Sequence, residues 1–278
     1  MTRRRRRALG QAFTYLALVL IMIFVVGPII WIAITSLQPM SNLMSVPLKV
    51  SFSNVTFEYY RSLFADRNFV KSVINTVVTT VVSTVLVLAV SSLGAYAVAR
   101  FRFANKELLL FSILGIQLGP AVAYLIPLFI MVRWLGLIDT WIGLILVFLA
   151  FVVPIGIWLL RGFFEDIPRE LEPAARMDGC SRFGAFSRII LPLARGGIMA
   201  TAIFVFISIW GDFLIPLIVT FSHSITLTVF ASAFSGTYDV NYGGAAATAV
   251  ISGLPTILLA IIFRRHLIRG LTEGSVKR

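Results

Sequence analysis

Six apolar runs, each about as long as a bilayer is thick, organise this chain. They cover residues 11–34, 70–99, 108–131, 141–160, 197–219 and 244–263. A helix needs about 20 mostly apolar residues to cross the hydrocarbon core, so each run predicts one transmembrane helix. The first follows a basic start, Arg3–Arg7, and carries no charge between Ala8 and Leu48. It exceeds the ~7–15 apolar residues of a secretory signal, and no small-x-small site closes it, so it is expected to remain as a span. Pro120 and Pro127 fall inside the third run, where neighbouring helices or water must satisfy the backbone groups they leave unpaired. The pattern predicts an all-α, polytopic membrane protein with one transmembrane domain, residues 1–278.

Composition closes off the alternatives. The chain is 59% hydrophobic and 13% charged, with mean hydropathy +0.95, whereas soluble domains carry about 25% charged residues. Its 23 Phe exclude a disordered chain. Cys180 stands alone and cannot form an intrachain disulfide, and two His with one Cys give no zinc-ligand spacing, so no metal is expected.

The net charge of +12 would suggest a polyanionic partner in a soluble protein. With the N-terminus inside, however, the inner segments hold 19 basic residues. The outer ones hold four: Lys49, Arg61, Arg67 and Arg133. That bias is a topology signal and predicts both termini in the cytoplasm. The arginines sit at separate membrane edges rather than on one face, which argues against nucleic acid as a partner.

Two polar segments interrupt the apolar pattern. Residues 36–69 lie outside and carry Phe57, Tyr59 and Tyr60; a small extracytoplasmic cap or docking surface, and an interfacial loop anchored by its tyrosines, remain equally open readings. Residues 161–195 lie inside. There Pro168 and Pro173 suit a first helical turn, with Glu170 and Glu172 at a helix N-terminus. Leu171, Ala174, Ala175 and Asp178 share one narrow face that the alanines keep flat. Gly179 is expected to end this helix with positive φ. Ser181 is expected to cap a second helix, with Phe183, Phe186 and Ile190 as its apolar stripe and Pro192 as its limit. From the residues alone, a protein-docking surface and a pair of helices lying in lipid headgroups stay open.

This segment resembles a known one. Ala174-Ala175, three residues, Gly179, nine residues, then Ile189-x-Leu191-Pro192 is similar to the EAA loop of binding-protein-dependent ABC importer permeases, and it falls between the expected spans. Pro173 stands at the family's glutamate position, with Glu172 one residue earlier. The resemblance to the maltose-type carbohydrate branch extends over most of the chain. It includes Pro28 with Ser36-Leu37-Gln38-Pro39, Gly94-Ala-Tyr-Ala-Val-Ala-Arg100-Phe, Trp210-Gly-Asp212-Phe, and the tail from Arg269 to Arg278.

The resemblance implies a type I ABC importer permease fold in the prokaryotic cytoplasmic membrane, taking up a sugar-like small molecule. It also implies that Glu172, Pro173, Ala174, Ala175, Asp178, Gly179, Ile189, Leu191 and Pro192 couple the chain to a cytoplasmic ATPase dimer. A second, homologous permease subunit and an extracytoplasmic solute-binding protein would complete the assembly. No Gly-x-x-x-x-Gly-Lys-Ser/Thr occurs, because Lys71-Ser72 follows Val70. The chain is therefore expected to be a non-catalytic subunit that binds no cofactor, with ATP and Mg on its partner. An ion-coupled secondary transporter is the alternative.

Candidates for a translocation path are fewer. Asp212 is the only acidic residue inside a predicted span, where an ionisable side chain costs at least ~2.5–3.5 kcal/mol and should face protein or water. Three readings stay open for it: a path residue hydrogen-bonding sugar hydroxyls, a structural partner of Arg or backbone N–H at the subunit interface, and a proton-coupling site. Asn75, Thr76, Thr79, Thr80 and Ser83 form a stripe that either lines a cavity or serves as interhelical hydrogen-bonding glue. Gln117 and Tyr124 flank Pro120, beside which a broken helix would open a route.

Overall fold

The computed structural model describes residues 3–47, 49–51, 53–101, 104–115, 119–235 and 241–273, and no strand occurs among them. The chain forms two compact units. Residues 1–70 and 231–254 make the first, and residues 71–230 and 255–278 the second.

In the first unit, α1 (Arg3–Thr35) contains the apolar stretch Gln11–Thr35, which is exposed along nearly its whole length. Such a surface suits lipid or another apolar partner rather than water. The segment after it is held in place by its own hydrogen bonds. Gln38 Oε1 accepts from Ser51 N at 3.0 Å and from Asn42 Nδ2 at 3.1 Å, while Gln38 Nε2 donates to Ser51 O at 3.0 Å. Ser36 and Tyr60 share a 2.7 Å hydroxyl hydrogen bond. Short helices α2 (Met40–Leu43) and α3 (Glu58–Ala65) lie in the same segment.

The second unit carries the longer arrangement. Helix α4 (Arg67–Arg100) enters it at Lys71, followed by α5 (Lys106–Gly115), α6 (Ala121–Trp134) and α7 (Trp141–Glu165). Thr140 caps α7, its hydroxyl accepting from Gly143 N at 3.0 Å. Then come α8 (Leu171–Met177), α9 (Arg182–Ala185), a π-helical turn (Phe186–Ile190) and α10 (Leu191–Leu193). After these come α11 (Arg195–Trp210), α12 (Leu214–Val219) and α13 (Leu227–Ser232), which passes into the first unit at Ala231; α14 (Tyr242–Glu273), counted with the first unit up to Leu254 and with the second from Pro255, ends the described chain.

Among the described residues, four helices are long and apolar enough to cross a membrane unbroken: Gln11–Thr35, Arg67–Arg100, Trp141–Glu165 and Tyr242–Phe263. The third and fifth predicted spans depart from a single helix. Residues 108–131 divide between α5 and α6, and Pro120 is the N-cap of α6 with extended backbone rather than a residue inside a helix. Proline lacks the N–H and restrains the residue before it, so helices start at it more readily than they run through it. Residues 197–219 divide between α11 and α12, with residues 211–213 outside both helices. Residues 182–193 also meet α11 at a bend of 78°.

Two cores hold the second unit. One joins Val87, Leu128, Val132, Leu144, Phe148, Val205, Ile209 and Val219, drawn from α4, α6, α7, α11 and α12. The other joins Ala95, Ala99, Leu160, Phe164, Ile167, Phe186, Ile190 and Ala194, so it ties the last turns of α4 and α7 to the segment between α7 and α11. Close approach of α4 and α7 depends on Gly156, where a Cβ would stand 2.3 Å from Ser91 Oγ. Ser91 uses the space to donate to Val153 O at 3.1 Å.

Candidate functional site

The polar segment between α7 and α11 folds into a short, bent platform. Helix α8 contains Pro173 in its first turn, where a missing N–H costs nothing. Gly179 follows at φ +87°, a conformation that L side chains rarely adopt. Ser181 then caps α9, accepting from Gly184 N at 3.0 Å. Positive φ at Gly179 and the Ser181 cap are as the sequence predicts. Pro192 does not stop the second helix at its own position. The helical path runs on to Leu193 and bends at Ala194.

The platform's inner side packs on the second core, and its outer side carries apolar side chains in the open. Phe186 and Ile190 are buried, whereas Met177 is 87% exposed and Phe183 68% exposed. Phe183 therefore leaves the inward stripe assigned to it. Ala174, Pro173, Asp178, Gly179 and Pro192 are exposed, and Ile189 and Leu191 are half-buried. Ala175 is buried within this chain, so it supports the platform from inside and does not form part of its outer surface.

Tyr96, on the last turns of α4, is the hub behind the platform. Its hydroxyl donates to Glu172 Oε1. Its ring lies 4.8 Å from that of Phe186 and 6.4 Å from that of Phe164. Arg100 Nη2 donates to Ile167 O at 3.0 Å, Arg169 Nη2 reaches Ala99 O at 3.4 Å, and Arg182 lies over the Phe101 ring at 5.7 Å. Sequence reasoning missed Tyr96 and Arg100 as parts of this site, although both lie in the Gly94–Arg100 stretch that carries part of the family resemblance. Nothing in a helix-forming apolar sequence marks which residue will meet a segment 76 positions later.

Among the path candidates, Asn75 is 2% exposed and spends all its polar atoms on structure. Nδ2 donates to His223 O at 3.0 Å and Ile225 O at 2.9 Å, and Oδ1 accepts from Trp141 Nε1 at 2.9 Å. Thr79 is buried and donates to Asn75 O at 2.7 Å, and Thr76 Oγ1 accepts from Leu227 N at 2.7 Å. Part of the stripe is glue. Asp212 sits in the break between α11 and α12 and acts as a helix cap, Oδ1 accepting from Ile215 N at 2.9 Å, while Thr228 Oγ1 donates to Asp212 O at 2.8 Å. The carboxylate is thus bonded to backbone N–H of its own chain. Tyr124 is half-buried against Phe151, with ring centroids 6.2 Å apart. Gln117 lies outside the described residues.

The residue that best organises the opposite end of this unit escaped sequence reasoning. Asp139, at φ 57°, points its carboxylate at four successive backbone N–H groups, Phe221 to Ser224, at 2.9–3.1 Å, and at the hydroxyls of Ser222 and Ser224, both at 3.0 Å. Burial alone would raise its pKa, but the four N–H donors outweigh that and hold the carboxyl well below the usual carboxylate range. Lys71 Nζ adds a 3.3 Å bond to Ser222 O. No group of three or more His, Cys, Asp or Glu side chains fit to hold a metal ion occurs among the described residues.

With this geometry in place, comparison with known proteins gives one answer. The family model described as "Binding-protein-dependent transport system inner membrane component" matches residues 91–273, which contain the platform and the interruptions between α5 and α6 and between α11 and α12. The chain belongs to this family. It is a multi-pass permease component of the inner membrane. The trehalose transport system permease protein SugB of Mycobacterium tuberculosis (strain CDC 1551 / Oshkosh) is 38% identical over 253 residues, covering 90% of this chain and 92% of that one. The diacetylchitobiose uptake system permease protein NgcG of Streptomyces coelicolor (strain ATCC BAA-471 / A3(2) / M145) is 30% identical, covering 96% and 89%. The crystal structure of a bacterial ABC transporter involved in import of the acidic polysaccharide alginate superposes with a TM-score of 0.74 at 26% identity, covering 95% of this permease and 98% of that chain. A second alginate transporter structure, in complex with an alginate pentasaccharide-bound periplasmic protein, shares the fold at a TM-score of 0.67 and 16% identity.

Proposed function

We propose that this permease is the transmembrane subunit of an ATP-driven importer for a sugar or small oligosaccharide, working beside a sister permease and supplied by an extracytoplasmic binding protein. The reading counts six crossings, with α5–α6 and α11–α12 as broken spans and both termini in the cytoplasm. The platform of residues 169–192 seats on a cytoplasmic ATPase dimer, which holds ATP and Mg. The observation that carries the coupling role is the pairing of exposed Met177 and Phe183 with the ties behind them through Tyr96, Arg100 and Arg169. A surface displaced by ATPase closure must be bound rigidly to the spans it moves, and those ties run to the end of α4. The sugar class rests on the trehalose and diacetylchitobiose relatives.

Uptake of radiolabelled trehalose, maltodextrin and diacetylchitobiose in strains with and without the gene tests the substrate class. Loss of none of them on deletion overturns it. For coupling, Met177→Asp and Phe183→Asp should leave the chain in the membrane while abolishing co-purification of the ATPase. Wild-type co-purification together with wild-type uptake would sink the assignment.

A further inference from the structure

Behind the platform, Tyr96, Arg100, Glu172, Arg176 and Arg182, with Phe101 at the side, line a partly open cavity of about 250 Å³. Three guanidinium groups face one carboxylate there, and that carboxylate already accepts the Tyr96 hydroxyl. Arg100 uses Nη2 on Ile167 O, whereas its Nε and Nη1 are buried without a hydrogen-bond partner. A buried donor that is left unpaired is costly, and a guanidinium fork matches the oxygens of a phosphate. The cavity therefore has the chemistry of an anion site.

Its position selects among anions. Tyr96 and Arg100 stand where the apolar run of α4 ends, which in the topology proposed above is the depth where hydrocarbon gives way to headgroups. Below it, Val90 and Leu93 are exposed on the same face of α4, and Phe101, exposed as well, continues that line to the cavity wall. An apolar track that ends in three arginines is complementary to a phospholipid, acyl chain below and phosphate above. We propose that this cavity binds the headgroup phosphate of an anionic phospholipid of the cytoplasmic leaflet, placing lipid directly beneath the coupling platform. The side assignment rests on the topology proposed above, but phosphate recognition at the cavity does not.

The test uses the purified full-length chain with phosphatidylglycerol, phosphatidylcholine or inorganic phosphate, read by native mass spectrometry and by thermal unfolding in detergent. Phosphatidylglycerol should be retained and should raise the unfolding temperature, and phosphatidylcholine should do neither. Each of Arg176→Gln and Arg182→Gln, both exposed, should weaken phosphatidylglycerol retention about fivefold, and Arg100→Gln more, with unfolding in phosphatidylcholine unchanged for the two exposed variants. Equal retention of the two lipids, or a phosphatidylglycerol preference that survives the two exposed variants, overturns the site. Equal stabilisation by inorganic phosphate overturns the lipid source. Absence of any lipid preference, with Arg182→Gln instead releasing the ATPase, reassigns the cavity to an acidic side chain of that partner. Because the binding arms need neither ATPase nor orientation, their failure leaves the importer reading standing.

Discussion

Replacing Asp139 isolates what one carboxylate contributes to an ordered loop. In Asp139→Asn the backbone can keep its φ of 57°, because Asn tolerates the left-handed region as Asp does. The amide keeps one acceptor oxygen for Phe221 and Ser224 but turns an NH₂ toward the N–H and hydroxyl of Ser222, which now meet a donor. Hydrogen bonds to a charged group are worth about 1.5–3 kcal/mol each when protected. Asp139 is half-exposed, so water recovers part of each, and the expected loss is about 2–3 kcal/mol in total. For a chain of this size that corresponds to a fall of about 5 °C or more in unfolding temperature. Asp139→Ala adds strain of about 1–2 kcal/mol, because Ala has no means of favouring φ above zero.

Thermal unfolding of the purified permease, followed by intrinsic fluorescence, reads the difference. Its pH dependence fixes the cause. The folded carboxyl is held below its unfolded value of about 3.9, so its stabilisation is fully present above that value and is lost as pH falls through it toward the folded value. The gap between wild type and Asp139→Asn should be constant from about pH 7 to pH 5 and should narrow below about pH 4. A variant as stable as wild type at pH 7 would refute the reasoning. So would a gap that stays the same at about pH 3, since the loss would then not come from charge.

Other substitutions test other joints. Tyr96→Phe removes the donor to Glu172 while keeping the ring against Phe186, and should lower solute transported per ATP hydrolysed at normal complex yield; unchanged stoichiometry would discount the tie. Gly156→Val should cost about 1–3 kcal/mol by driving α7 against Ser91, and Ser91→Ala should recover part of that loss in a double-mutant cycle. Asp212→Asn keeps an acceptor for Ile215 N and should retain both transport and stability, whereas Asp212→Ala should lose about 1 kcal/mol; loss of uptake in the Asn variant with normal assembly would instead show a need for charge. Gly179→Ala should strain the bend by about 1–2 kcal/mol and reduce ATPase co-purification, and unaltered binding would show that the turn's geometry is dispensable.

Local features of the platform are legible in the sequence because they depend on residues close along the chain. Gly179 supplies a conformation other residues avoid, Ser181 caps the short helix α9, and Pro173 fits a first turn. Broken spans are legible only in part. Hydropathy reports the apolar length of residues 108–131 and 197–219, but backbone continuity depends on Pro120 and on whether Asp212 finds N–H groups to cap. Ala175 shows the limit on the platform itself, since a flat alanine face says nothing about whether it turns outward or inward.

The class of molecule is written in the chain itself: apolar length, the asymmetry of Arg and Lys, and the spacing around Gly179 are properties of composition and short range. Which polar groups meet emerges from the folded arrangement alone. Tyr96 reaches Glu172 across 76 residues, and Asp139 reaches Phe221–Ser224 across 82 to 85. Such partners depend on how the helices of the second unit pack, and in an apolar medium packing is set by shape and by the few hydrogen bonds available, neither of which leaves a period in the sequence.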